Sequence, residues 1–272
     1  VSKLSRTSAA TRVAGAWTWL VLAFLHLPVL LLIVLSFNRA RLGQRWEGFT
    51  FAWYPELFRN RALLDSLQNS LLIATLVTLL SVALGTLAAW MLHRHRWPGA
   101  RWLALAAASP LVTPEIILGV SLLMLFATFA VPLGILTVTI AHTTFCFPFV
   151  MLAAQARLHG MDPALEEAAL DLGATPWQAF RLVIVPALKP ALLSGALMAF
   201  TLSLDELIVT YFTAGPAAQT LPVKIYGMAR VGLTPVLNAA GAVLVVSTIA
   251  LVIFGELLRR WNRAPATAPF PS

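Results

Sequence analysis

The chain has 272 residues, of which 59% are hydrophobic and only 11% charged, with a net charge of +8 and a mean hydropathy of +0.83. A soluble domain carries about 25% charged residues, so this composition excludes a water-soluble globular fold. The lone cysteine, Cys146, lies inside an apolar stretch, which excludes intrachain disulfides and thiolate metal clusters.

Apolar stretches of eighteen or more residues, the length of a membrane-spanning helix, recur along the chain. Six spans are predicted, at about 14–37, 67–92, 102–127, 133–156, 188–212 and 237–258. Together they make an all-α membrane protein with one membrane domain over residues 1–272 and no room for a separate soluble domain. Lys3, Arg6 and Arg12 precede the first span as in a secretory signal. The run Val13 to Leu35, however, exceeds the 7–15 residues of a signal core, and no clear A-x-A site follows, so it reads as a retained span.

The loop from Arg39 to Asp65 carries the stretch WEGFTFAWYPELF, whose aromatics suit the membrane interface. His93 and His95 sit in an Arg-rich loop and are expected to be solvated, whereas His26 and His142, inside apolar spans, are expected to be bonded core residues. Ser109-Pro110 and Thr113-Pro114 predict a break in the third span. Thr113 would cap the restarted helix, with Pro114 at its first position. Glu115 then falls in the first turn, where the helix dipole favours negative charge, and is also a candidate to face a cavity between helices.

Residues 157–190 read as two short helices with a glycine hinge, too short and polar to span. Asp162 can cap the first helix, Pro163 opens it, and Glu166 and Glu167 occupy its early turns. Gly173 suits the left-handed position that ends a helix. Thr175 restarts the helix with Pro176 next and Gln178 three residues on, a capping-box spacing. A structured elbow on a membrane protein suggests a docking surface. The alternative, a helix pair lying on lipid, fits less well, because the first helix is acidic where anionic lipid favours basic groups.

Asp205 and Glu206 fall in the fifth span. A carboxylate at the centre of a membrane helix costs about 2.5–3.5 kcal/mol, so such groups face a cavity or a partner. On one continuous helix adjacent residues differ by about 100°, which sets Asp205 with Thr201 and Val209, and Glu206 with Leu202 and Thr210. Asp205 is therefore assigned to a cavity and Glu206 to a neighbouring helix or a subunit interface, unless the two are a structural pair with Asp205 bonded to a backbone group or to an Arg of another helix. Tyr211 is close enough along the helix to offer an aromatic face to a cation. The segment Gly215 to Pro235, the aromatic loop from Arg39 to Asp65, or both together are the candidates to receive an external protein, and Trp261 to Ser272 reads as a disordered tail.

With both termini inside, the inner loops carry twelve of the Lys and Arg residues and the outer loops seven. That bias predicts cytoplasmic termini and a cytoplasmic elbow, although five arginines in the first outer loop are locally contrary. Lipid headgroups and orientation account for the positive balance without nucleic acid. No G-x-x-x-x-G-K-[ST] loop is present to hydrolyse ATP, and no H-E-x-x-H to bind zinc.

Glu167-Ala168-Ala169, then three residues, Gly173, and after nine more Val183, Val185 and Pro186 resemble the EAA loop of ABC importer permeases, E-A-A-x3-G-x9-I-x-L-P. The two valines are conservative departures. Ser36-Phe37-Asn38, Trp46 to Thr50, Ala141 to Cys146, Ala199 to Glu206 and Leu221 to Tyr226 resemble the spermidine/putrescine permeases, over nearly the whole chain and most like the second of the paired permeases. Asp205-Glu206 stands where that family has two aspartates, and Thr234-Pro235-Val236 where it reads S-P-E.

The resemblance implies a type I importer permease fold in the bacterial inner membrane, with Glu166, Glu167, Ala168, Ala169, Gly173 and Pro186 coupling to an ATPase. It also implies a homologous permease, two ATPase subunits holding ATP and magnesium, and a periplasmic polyamine-binding protein. The chain itself is then a transport subunit with no cofactor, working by alternating access, with Asp205, Glu206, Tyr211 and Glu115 as the candidates for its substrate path. Same-fold permeases for iron(III), thiamine or a phosphonate are the nearest rivals, against which the acidic pair argues. An ion-gradient carrier would need no elbow.

Overall fold

A computed structural model describes residues 9–40, 45–94, 98–232 and 234–261. Lys3, Arg6, His95 and the tail beyond Trp261 lie outside the described residues. The helices are α1 (Ala9–Leu35), α2 (Trp53–Arg59), α3 (Arg61–Arg94), α4 (Ala100–Ala108), α5 (Glu115–Thr128), α6 (Ile135–His159), α7 (Ala164–Asp171), α8 (Pro176–Ala179), α9 (Val185–Asp205), α10 (Ile208–Thr213), α11 (Leu221–Val231) and α12 (Pro235–Trp261). They fall into two compact units, one made from Val1–Arg61 with Gly227–Ser272 and the other from Ala62–Tyr226.

Four helical stretches are long and apolar enough to cross a membrane, Val13–Leu35, Arg61–Arg94, Ile135–His159 and Pro176–Asp205. The expected third span is not straight: Ala100–Leu111 and Glu115–Thr128 meet at 107°, forming a broken span or a re-entrant loop. In place of the expected sixth span, α12 offers an apolar stretch, Pro235–Ala250, shorter than eighteen residues. Among the described residues this gives four spans, or five with the bent pair, where six were expected. Pro110 and Pro114 account for the bend, since each removes a backbone donor from what would be one helix. Thr113 does not cap α5 as expected. Its hydroxyl donates back to the Ser109 carbonyl at 2.9 Å, and Pro114, with ψ 132°, is the non-helical residue before Glu115.

In the first unit α1 packs along α12, and α2 packs on α12. Elsewhere on α1, Trp17, Trp19 and Phe24 are exposed apolar side chains, a surface suited to lipid or another chain rather than water. His26 is correspondingly exposed and bonds only the Leu22 carbonyl of its own helix, at 2.7 Å, so it is no core residue. The aromatic loop is ordered by buried Asn38, whose Nδ2 donates to the Arg45 carbonyl at 2.7 Å and whose Oδ1 accepts from the Glu47 N–H at 3.0 Å. Trp53 donates its indole N–H to the Asn38 carbonyl at 2.7 Å. Phe37 stacks on Phe49 at 5.1 Å, with Phe51 edge-on to both.

In the second unit α6 is the central helix, packed on α9, with Ile73, Val77, Val138, Cys146, Val150 and Ala199 forming its core. Helix α3 approaches α6 so closely that a Cβ on Gly85 would lie 2.8 Å from the Met151 nitrogen and from Val150 Cβ. Several threonine hydroxyls along these helices are satisfied locally. Thr75, Thr78, Thr86, Thr139 and Thr143 each donate to the carbonyl four residues back, as a non-aqueous surrounding demands.

Candidate functional site: a coupling elbow and an acidic cleft

The first short helix starts and stops as its sequence dictates, and the second starts so but does not stop: it runs on unbroken as Pro176–Asp205, a stretch long enough to span, so the expected pair of short helices is one short helix and the start of a long one. Asp162 Oδ1 accepts from the Ala164 N–H at 3.0 Å, and Thr175 and Gln178 exchange the two bonds of a capping box, at 3.3 and 2.7 Å. At the hinge Gly173 has φ +85°; its N–H bonds Leu170 O at 2.9 Å and that of Ala174 bonds Ala169 O at 3.1 Å, a Schellman motif. Past Ala179 the helix continues through a π-turn at Phe180–Ile184. Pro186 follows and has no N–H for Leu182, and the wider turn accommodates that loss.

Phe180, Ile184 and Leu188 anchor the elbow among Ala89, Met151, Ala154 and Leu158, and the Phe180 ring lies 4.4 Å from that of Trp90. Outward it presents Glu167, Ala168, Asp171, Leu172 and Trp177, of which Leu172 is 90% exposed. Pro186 is also exposed, and Ala169 is half-buried. Glu166 is turned inward and forms an ion pair with Arg94 at the end of α3, so of the two adjacent glutamates only Glu167 is presented outward. Arg94→Ala leaves that carboxylate unpaired; it should lower the stability of the purified protein by about 1 kcal/mol, the upper end for partly exposed pairs. Arg94→Lys should restore most of it, and thermal melting in detergent measures both.

The acidic residues meet at a second place. Glu115 at the start of α5, Asp205 at the end of α9 and Glu206 just beyond it line a cleft of about 480 Å³ with Thr201, Leu202, Leu207 and Ile208. Helix α9 is not continuous across the pair, as the face argument assumed: it ends at Asp205, and Glu206 leaves the helix with φ −70° and ψ 121° before α10 begins. Hence both acids reach one cleft. Asp205 is exposed, while Glu206 is only 9% exposed and its Oε1 accepts from the Val209 N–H at 2.8 Å, capping α10.

His142 is buried, as expected, with Nδ1 2.8 Å from Ser203 Oγ and Nε2 2.8 Å from Thr210 Oγ1. Tyr211 does not join the cleft. Its ring is exposed and packs edge-on to Phe212 and Tyr226. The break itself went unread in the sequence, because neither proline nor glycine marks it. The available signal was Glu206 with Val209 three residues on, the spacing at which a side chain can cap a helix.

Residues 81–263 match the family described as binding-protein-dependent transport system inner membrane component. The chain is 37% identical over 246 residues to the spermidine/putrescine transport system permease protein PotC of Escherichia coli K12, covering 90% of this chain and 93% of that one. It is 40% identical over 238 residues to the putrescine transport system permease protein PotI of the same strain, covering 85% and 84%. A crystal structure of a bacterial alginate ABC transporter, in complex with alginate pentasaccharide-bound periplasmic protein, superimposes with a TM-score of 0.74 over 96% of this chain and 97% of that one, at 17% identity. An elbow rooted in the core, a broken helix carrying acids and this similarity over nearly the full length have one explanation: the chain belongs to the inner-membrane permease family of binding-protein-dependent ABC importers.

Proposed function

We propose that this chain is the second permease subunit of an ATP-driven importer that carries spermidine or putrescine across the bacterial inner membrane. The observation that carries the cargo is the cleft. Three carboxylates from two separate helix ends gather around one opening, and in a membrane protein such a concentration of negative charge suits a polycation and repels an anion. The relatives named for spermidine and putrescine support the same cargo.

Both termini are cytoplasmic in this reading, from the bias of basic residues, and the elbow faces the cytoplasm. Its outward face, Glu167, Ala168, Leu172 and Trp177, docks on one of two ATPase subunits, which hold ATP and magnesium. A homologous permease completes the pathway, and a periplasmic polyamine-binding protein delivers cargo. Closure of the ATPases drives the elbow, and the rooted helices carry the motion to the cleft by alternating access. The cleft binds loosely, since cargo held tightly would not leave.

Asp205→Asn tests the cargo reading. ATP-dependent spermidine and putrescine uptake into proteoliposomes holding the assembled importer should fall at least about tenfold, the effect of about 1.4 kcal/mol. Co-purification of the ATPase should be unchanged. Unaltered uptake removes Asp205 from the path, and uptake that persists on an ion gradient without ATP sinks the importer reading.

A further inference from the structure

The break between α9 and α10 is bridged by one side chain of a third helix. His142 of α6 bonds Ser203 in the last turn of α9 through Nδ1, and Thr210 in α10 through Nε2, both at 2.8 Å. The Thr210 hydroxyl donates to the Glu206 carbonyl at 3.0 Å. Its oxygen therefore accepts from the imidazole, so Nε2 carries the proton and Nδ1 accepts from Ser203. A neutral imidazole in that one tautomer satisfies every group in the chain of bonds. Thr137 of α6 adds a second hold by donating to the carbonyl of Thr213, the last residue of α10, at 2.8 Å. Six residues cannot sustain a helix by themselves, so α10 and the break before it depend on these contacts.

We infer that His142 is a positioning residue that staples the α9–α10 break and so holds Glu206, with Asp205 beside it, at the mouth of the cleft. This rests on the cleft being the cargo path. Removing the staple does not orphan its partners. Thr210 keeps its bond to Glu206, and Ser203 lies four residues from the Ala199 carbonyl, the spacing at which a helical hydroxyl bonds back. Leucine fills a similar volume, so His142→Leu should fold and assemble while the break keeps only the hold from Thr137. Glutamine restores a donor and an acceptor near the positions of the ring nitrogens.

Two measurements test it. In the first, Leu207→Cys is introduced at the break, where it lines the cleft, while the native Cys146 is buried. Its modification by a charged methanethiosulfonate reagent is timed in the assembled importer. His142→Leu should speed labelling roughly tenfold, as local opening becomes easier, and His142→Gln should leave it near the parent rate. An unchanged rate in His142→Leu overturns the staple.

The second is a double-mutant cycle on polyamine uptake with Glu206→Gln. If His142 acts through Glu206, the double variant is no worse than the weaker single one; if the losses multiply, the proposal fails. Faster labelling together with normal uptake in Glu206→Gln upholds the staple and overturns the role of Glu206 in the path. Impaired uptake in Glu206→Gln with unchanged labelling does the reverse.

Discussion

Gly173→Pro is expected to abolish ATP-driven uptake while leaving the membrane helices folded. Gly173 stands at φ +85° and donates its N–H to Leu170. Proline fixes φ near −65° and has no N–H, so it can neither take that conformation nor make that bond. Helix α7 would leave the hinge in another direction and carry Glu167, Ala168 and Leu172 with it. Gly173→Ala keeps the N–H and pays only for the left-handed backbone, about 1–2 kcal/mol, so it should retain part of the activity. Uptake and ATPase co-purification, measured on the same preparations, separate a lost dock from a lost cleft. Normal coupling in the proline variant would contradict the role of the hinge.

Gly85→Val should damage the protein more deeply. A Cβ at this position meets the Met151 nitrogen and Val150 Cβ at 2.8 Å and the Phe147 carbonyl oxygen at 2.9 Å. Two of these three are backbone atoms of α6, which cannot turn aside as a flexible side chain would. Overpacking a core costs about 1–3 kcal/mol where side chains can yield, and more is expected here. The consequence is separation of α3 from α6, read as a lower melting temperature and poor recovery from the membrane. Gly15→Ala is the matched control. Gly15 sits in α1 with nothing within 4 Å of its Cβ position, and the substitution should leave both quantities unchanged.

The elbow was legible residue by residue because its determinants are local. Asp162, Gly173, Thr175 and Gln178 each act on backbone groups two to five positions away, and each is found making the bond its position foretold. What escaped was set by tertiary packing. The break after Asp205 has no proline or glycine to announce it and is held from α6, so an argument from one continuous helix put the two acids on different faces. Glu166 was grouped with Glu167 because both lie early in α7; its turn inward depends on Arg94, which lies 72 positions earlier and reaches it only through the fold. Tyr211 was near in sequence and turned out to pack on Tyr226 instead. His26 failed for a simpler reason: an apolar neighbourhood in sequence indicates a core residue only where other helices surround it.

The aromatic loop around Asn38 has a bearing on biogenesis. Its bonds link residues at most 18 positions apart, as from Ser36 to Tyr54, so loop closure costs little entropy and the loop can form as soon as those residues leave the ribosome. The second unit must wait. Asn69 finds the Ala217 carbonyl across 148 positions, and Ser70 receives the Leu221 N–H across 151. Through most of synthesis, then, these two groups near the start of α3 lack their native partners. A ribosome stalled before residue 217 would leave a half-built chain that membrane quality control could recognise by those unmet groups.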